Sequence, residues 1–251
     1  MPMPQYSRSQ VLAVWAAASM PMALMAWVVV PLIATTEGDS VSWAKWLIGG
    51  LTLGLVWQGL LVAILVWVER GNLRWRTLKD ALWLHAPTHP HTGRKGGMLW
   101  LVCLPLIAGL WLSGALPEPS HSPWRNFGTF LQSDAGRTFF AGNWAWFGVV
   151  AVMLMFNTVL GEELLFRGLL LPRMNRAFGR ADWLINGALF AVYHLHTPWV
   201  IPAAVLDAFW LAGPAKYYRS AWIGIAVHST ASVVLLGMLL SLVWVPRGLS
   251  P

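Results

Sequence analysis

Charge is what this sequence has least of. Only 11% of its 251 residues are Asp, Glu, Lys or Arg, while 57% are hydrophobic; a soluble domain carries roughly 25% charged residues. That balance excludes an ordinary soluble globular domain. Cysteine is nearly absent. Cys103 stands alone inside an apolar run, so no intrachain disulfide can form and no cysteine-based metal motif exists. The first apolar run, near 10–35, has no small-residue cleavage site and is longer than the about 7–15 residues of a signal-peptide core. It reads as a retained membrane helix. The chain also has no internal repeat and no low-complexity segment.

What the sequence has instead is tryptophan, 18 residues of it. Many stand at the ends of apolar runs (Trp43, Trp46, Trp67, Trp144, Trp183, Trp222, Trp244). An indole sits well at a membrane–water interface because its ring is apolar while its N–H wants a polar partner. About 20 apolar residues make a helix that spans the bilayer. On that measure spans fall near 10–35, 45–68, 97–116 and 143–170, then a shorter one near 182–198, a still shorter one near 199–212, and a last one near 221–245. The fold class is an all-α, polytopic transmembrane helical bundle of about seven spans. Pro198 and Pro202 break the two short spans, which form a hairpin or one span with a re-entrant piece.

Residues 1–96 divide off as two transmembrane helices plus a basic amphipathic segment, in which Leu73, Leu78 and Leu82 oppose Arg74, Arg76 and Lys79. Such a stretch suits the membrane surface. Residues 97–251 form the transmembrane core. The linker 117–142 carries a short amphipathic piece around Phe127–Leu131. With the N-terminus inside, thirteen of the seventeen Lys and Arg face the inner side, and only Lys45, Arg125, Arg137 and Arg247 face out. The positive-inside rule selects that orientation. The net charge of +7 then belongs to loops facing an anionic leaflet. The lipid bilayer is the expected partner, and nucleic acid is not.

Against this background "GEELLFRG" (161–168) is conspicuous. Each ionised side chain near a bilayer centre costs about 2.5–3.5 kcal/mol on the most lenient scale, and this stretch carries three. Counting roughly 1.5 Å of rise per residue, Glu162, His194 and His228 all lie at a similar depth from one surface. A carboxylate can take a proton from water and later return it to a leaving amine. Two imidazoles can hold that water, bind an oxyanion, or share a metal such as zinc with Glu162. Glu163 and Arg167, four apart, can form an internal ion pair, with Glu162 about 100° around the helix from Glu163.

The motifs have a family pattern. "EELLFR" (162–167), "FAVYH" (190–194) and "HSTAS" (228–232) resemble, in order, the EExxxR, FxxxH and HxxxN motifs of the CPBP family. These are the CAAX-protease and bacteriocin-processing, or Abi, intramembrane proteases. The resemblance covers roughly 145–240. It implies an endopeptidase in which Glu162 activates water, Glu163 and Arg167 shape the site, and His194 and His228 position water or stabilise the oxyanion. Ser232 stands where the family has asparagine, with a shorter reach and a single hydroxyl donor. The implied substrate is a peptide or membrane-protein segment, with a prenylated tail as one option. The implied location is multi-pass in a bacterial inner membrane. The resemblance leaves a metal mechanism and a metal-free glutamate mechanism both open.

Other readings use the same residues. A catalytically silent relative serving as an immunity or scaffold protein would accommodate Ser232. A small-solute or proton-coupled transporter would use the carboxylates and histidines as a relay, although many transporters show internal repeats. Neither a GxSG serine motif nor an intramembrane GxGD motif is present. "HAPTH" (85–89) has the histidine spacing of a zincin helix but lacks its glutamate and contains Pro87. His196, two residues past His194, is expected on the opposite helix face, at the interface. Phe190 is expected to pack beneath His194. Asp207 lies in an apolar segment and either pairs with a buried donor or faces the site.

Overall fold

The computed structural model describes residues 3–34, 40–119 and 125–244. Arg247, counted above on the outer side, lies outside the described residues. Helix α1 spans Arg8–Ala34 and begins in a capping box. The Ser7 hydroxyl accepts from Gln10 N–H, and the Gln10 side chain accepts from Ser7 N–H, which satisfies two of the N–H groups a helix start leaves orphaned. Helix α2 (Ser40–Arg70) returns across the bundle. A short helix α3 (Trp75–Ala81) follows, then α4 (Gly97–Gly114). Two small helices, α5 (Phe127–Gln132) and α6 (Asp134–Phe140), lead into α7 (Trp144–Arg173). The remainder is α8 (Asp182–Tyr193), α9 (Pro198–Ala204), α10 (Ala208–Tyr218) and α11 (Ala221–Val243).

The bundle is all-helical, as its composition requires. Among the described residues the only β pairing is an isolated bridge between Thr88 and Lys95. The span count differs from the sequence expectation of about seven. Among the described residues, five helices are long and apolar enough to cross a membrane (α1, α2, α4, α7 and α11), or six if α9 and α10, bent by 50° at their junction, are one broken span. The missing span is α8. Its 12 residues reach roughly 18 Å, against a hydrocarbon core of about 30 Å. The basic amphipathic segment is helical only over α3. Leu82 just beyond it is buried, while Leu73 before it is exposed.

The segments richest in Lys and Arg gather at one end of the bundle. There Tyr6 N–H donates to Arg173 O (2.9 Å), Thr88 N–H to Tyr218 O (2.9 Å), and Ala221 N–H to Trp83 O (2.9 Å). The opposite end is closed by Gly142 N–H donating to Val243 O (3.2 Å), with Arg125 stacked over the rings of Trp27 (4.1 Å) and Trp43 (4.9 Å). At the basic end the fully buried Arg173 guanidinium pairs with Glu69 (2.6 Å) and donates to the carbonyls of Ala81 and Leu169. Tyr6 OH donates to the same carboxylate at 2.5 Å. Burial and the nearby Glu69 hold that phenol above its ordinary pKa, so it remains a donor. One cluster thus ties α1, α2, α3 and α7 together.

The main apolar core mixes residues from both halves of the chain, among them Val11, Met22, Leu55, Leu165, Phe190 and Ile223. Helix α8 packs against the start of α10 through two small residues. A Cβ on Gly187 would meet Ala208 Cα at 2.6 Å, the close backbone approach that small residues permit inside membranes.

Replacing Glu69 by Ala leaves the buried Arg173 charge without its carboxylate. Breaking a buried pair from one side costs about 3–5 kcal/mol. Denaturant titration in detergent should show a loss of that size; an unchanged midpoint would mean the pair does not hold this end together.

Candidate active site

Helix α7 changes its winding twice. After an α-helical start over Trp144–Met155, capped by Asn143 accepting from Trp146 N–H, residues Phe156–Gly161 and Leu164–Leu170 adopt π-helical turns. Such turns are rare and concentrate at functional sites. The Glu162 N–H bonds to Asn157 O, five residues back. Asn157 and Glu162 therefore stand one turn apart on one side of the helix.

Glu162 lines a cavity of about 590 Å³. His194 and His228 line the same cavity, so two of the three depth-matched residues come from elements far away in sequence and meet the third in one space. Asn157, Asp207, His196 and Thr197 are also on its wall. Helix α8 ends at Tyr193, and His194–His196 form a tighter 3₁₀ turn. His194 Nδ1 lies 2.9 Å from Phe190 O. A carbonyl only accepts, so Nδ1 carries the proton, and the neutral ring keeps Nε2 as a free lone pair.

Glu163 and Arg167 stand behind the cavity and are not on its wall. Arg167 Nη1 is 3.2 Å from Glu163 Oε1, both side chains wholly buried. The same Glu163 oxygen is 3.0 Å from His228 Nδ1. One carboxylate thus joins α7 to α11 and fixes a proton on Nδ1, leaving Nε2 of His228 for the cavity. The guanidinium is held by charge and by its position 4.0 Å over the Phe190 ring, since none of its side-chain nitrogens is aligned for a hydrogen bond. Phe190 is edge-on to both His194 (4.9 Å) and His228 (5.9 Å). It is the common spacer of the site.

Glu162 has a support of its own. Gln58 Nε2 on α2 donates to Tyr193 OH at 2.8 Å, and Tyr193 is a neighbour of the Glu162 carboxylate. With its oxygen accepting from Gln58, the phenol keeps its O–H free for another acceptor. All three side chains are buried.

Several expectations need correction. His196 does not face away. The α-helical winding that would separate it from His194 ends at Tyr193, and the two imidazoles lie on the cavity wall with ring centres 5.6 Å apart, stacked at 25°. Asp207, at the bent junction of α9 and α10, takes the second of its two expected arrangements. It is buried, lines the cavity and has no hydrogen-bonded donor among the described residues. Irregular backbone at membrane depth is tolerated where it lines such a space. Ser232 is not on the wall; its neighbour Ala231 is. "HAPTH" builds no centre, as His85 pairs with Asp80 (3.3 Å) at an exposed position. Asn157, Gln58 and Tyr193 went unnoticed in the sequence. Only the adjacency of Tyr193 to the motif histidine pointed to any of them.

Zinc is the one cofactor the residue types suggested, through Glu162, His194 and His228. Among the described residues no three or more His, Cys, Asp or Glu side chains are grouped so as to hold a metal ion. The donors as arranged do not fit that role, and no step below is routed through a metal.

Residues 143–234, from the cap of α7 to the middle of α11, match the family model of the type II CAAX prenyl endopeptidases, Rce1-like. That stretch is similar to the Rce1-like family. The match agrees with the CPBP resemblance read from the three motifs. It supports, at the level of the family, a CAAX-type intramembrane endopeptidase. No curated protein and no solved structure matches the chain. With its apolar helices, the chain is an integral membrane protein.

Gly224 on α11 lets the Rce1-like core close. A Cβ there would fall on Glu163 Oε2, whereas Gly237 on the same helix has open space around it. Gly-to-Ala changes in a helix ordinarily stabilise by about 1 kcal/mol. Gly237→Ala should therefore be neutral or stabilising, and Gly224→Ala destabilising, in thermal unfolding of the detergent-solubilised protein. Equal effects at the two positions would contradict the close approach.

Proposed function

We propose that the chain is an intramembrane endopeptidase that hydrolyses a peptide bond with water activated by Glu162. The observation that carries this reading is the convergence of Glu162, His194 and His228 on one cavity, inside a segment matching the Rce1-like family. The Glu162 carboxylate removes a proton from water, and the hydroxide adds to the scissile carbonyl carbon. The carbonyl π electrons move onto oxygen. Collapse of the tetrahedral intermediate breaks the C–N bond, and the proton held by Glu162 passes to the departing amine. The neighbouring Tyr193 hydroxyl supplies a donor that orients the carboxylate as it charges and discharges.

The histidines divide the remaining work. His194, with Nδ1 committed to Phe190 O, offers Nε2 as an acceptor that aims the water. His228 is bonded through Nδ1 to Glu163, whose charge supports the ring when Nε2 is also protonated, so it can donate to the oxyanion. Glu163 and Arg167 set the position of His228 from behind. Ser232 keeps a supporting place on α11 beside the cavity wall. The substrate is a peptide tail or a membrane-proximal segment of a protein, with a prenylated end as the family name suggests, and the setting is a bacterial inner membrane with the site toward the inner leaflet.

Purified protein is assayed on a fluorogenic peptide library beside Glu162→Gln and His228→Ala. Loss of the general base should lower kcat on the order of 10²–10⁴-fold, and loss of the His228 donor by a comparable factor. Cleavage by both variants at the wild-type rate would overturn the assignment. A parallel arm with chelator tests metal dependence; the metal-free reading expects kcat unchanged, and loss restored by added zinc would reverse it.

A further inference from the structure

Asn157, one helical turn from the base, lines the same space. In the family pattern the fourth residue after the last motif histidine is asparagine. Here that position is Ser232, and the structure leaves it off the cavity wall. That position therefore contributes no amide to the wall. His194 offers an acceptor. The Ser113 hydroxyl already donates to Gly109 O at 2.9 Å, and the Trp111 indole N–H to the Thr230 hydroxyl at 3.2 Å. Apart from the histidine rings, the lining residues with uncommitted side-chain donors are Asn157 and Thr197. Of these, Asn157 shares a helix with Glu162 and is bonded to it through the backbone. Its side-chain amide has no hydrogen-bond partner among the described residues.

The π turn makes this possible. In an α-helix the residue one turn from Asn157 is Gly161, and Glu162 would stand about 140° away, following from five steps of 100°. The i→i+5 bond from Glu162 N–H to Asn157 O removes that offset, so carboxylate and amide border one space. A water activated at Glu162 and a carbonyl oxygen polarised at Asn157 are then served from adjacent turns of one element.

Resting on the peptidase reading above, we propose that Asn157 is a catalytic residue whose side-chain N–H donates to the carbonyl oxygen of the scissile bond as it becomes an oxyanion. The amide neither gains nor loses a proton; it stabilises the charge that develops when water adds. It forms, with Nε2–H of His228, a two-donor oxyanion site. It supplies the donor that the Ser232 position does not present to the cavity.

The test uses the full-length protein and one fluorogenic peptide selected on the wild type. Asn157→Ala and Asn157→Asp, the latter equal in size but without the donor, should each lower kcat on the order of 10²–10³-fold with KM nearly unchanged. A phosphinate analogue of that peptide, whose oxyanion mimics the tetrahedral intermediate, should lose affinity for Asn157→Ala by a similar factor, while binding of the uncleaved peptide to Glu162→Gln and to the doubly substituted protein stays equal. A purely structural asparagine would not separate the two ligands. If Glu162→Gln is inactive yet both Asn157 variants remain within threefold of wild type, or Thr197→Val takes the loss instead, the inference is wrong and the peptidase reading stands. If the wild type cleaves nothing, or Glu162→Gln is fully active, the peptidase reading fails and the inference with it.

Discussion

The arrangement of the site depends on one buried carboxylate. Glu163 Oε1 faces Arg167 at 3.2 Å and His228 Nδ1 at 3.0 Å, and the Glu163 and Arg167 side chains are wholly buried. An isolated charge would be costly here, and a charge held between two cationic or proton-donating partners is tolerated because each offsets the desolvation of the others. The interaction also has a direction. It pulls α11 onto α7 closely enough that only glycine fits at position 224, and that contact sets where His228 stands relative to Glu162. Remove the carboxylate and the last helix has no reason to present its imidazole to the cavity.

Two adjacent glutamates thus have separate jobs because the helix turns between them. Glu163 faces the protein interior and organises it. Glu162 faces a cavity whose opposite wall is an interrupted segment, with the 3₁₀ turn at His194–His196 and the bend before α10. The broken backbone and the buried carboxylates occupy the same layer. Each makes the other tolerable, since polar backbone and ionisable side chains both need a space that is enclosed by protein yet admits water.

Much of this was legible in the sequence. The low charge and the apolar runs gave the helical bundle, and the four-residue spacing of Glu163 and Arg167 gave their pair. Equal distances from the basic ends brought Glu162, His194 and His228 to one depth. What escaped depended on departures from α-helical winding, to which periodicity is blind. His196 was misassigned because the helix was taken to continue past Tyr193. Asn157 was invisible because an α-helix would have turned it away from Glu162. Gln58 lies more than a hundred residues from its partner Tyr193, and nothing local marks a glutamine on α2 as part of a hydrogen-bond chain. Hydropathy measured α8 together with the 3₁₀ turn beyond it, which made a 12-residue helix read as a fuller span.

The π turn at Phe156–Gly161 has a consequence for how such a site is encoded. A π turn is an α-helical turn with one residue too many. Its information is carried by chain length as well as by residue identity. Taking out a single residue between Asn157 and Gly161 would leave every motif letter in place and rewind the turn. Everything upstream would swing about 100° relative to Glu162, and the helix face now packed on α2 would carry a different set of side chains. Two sequences with identical motifs could therefore differ in whether their glutamate meets an amide or a methyl group. In this fold a deletion is a more searching change than most substitutions.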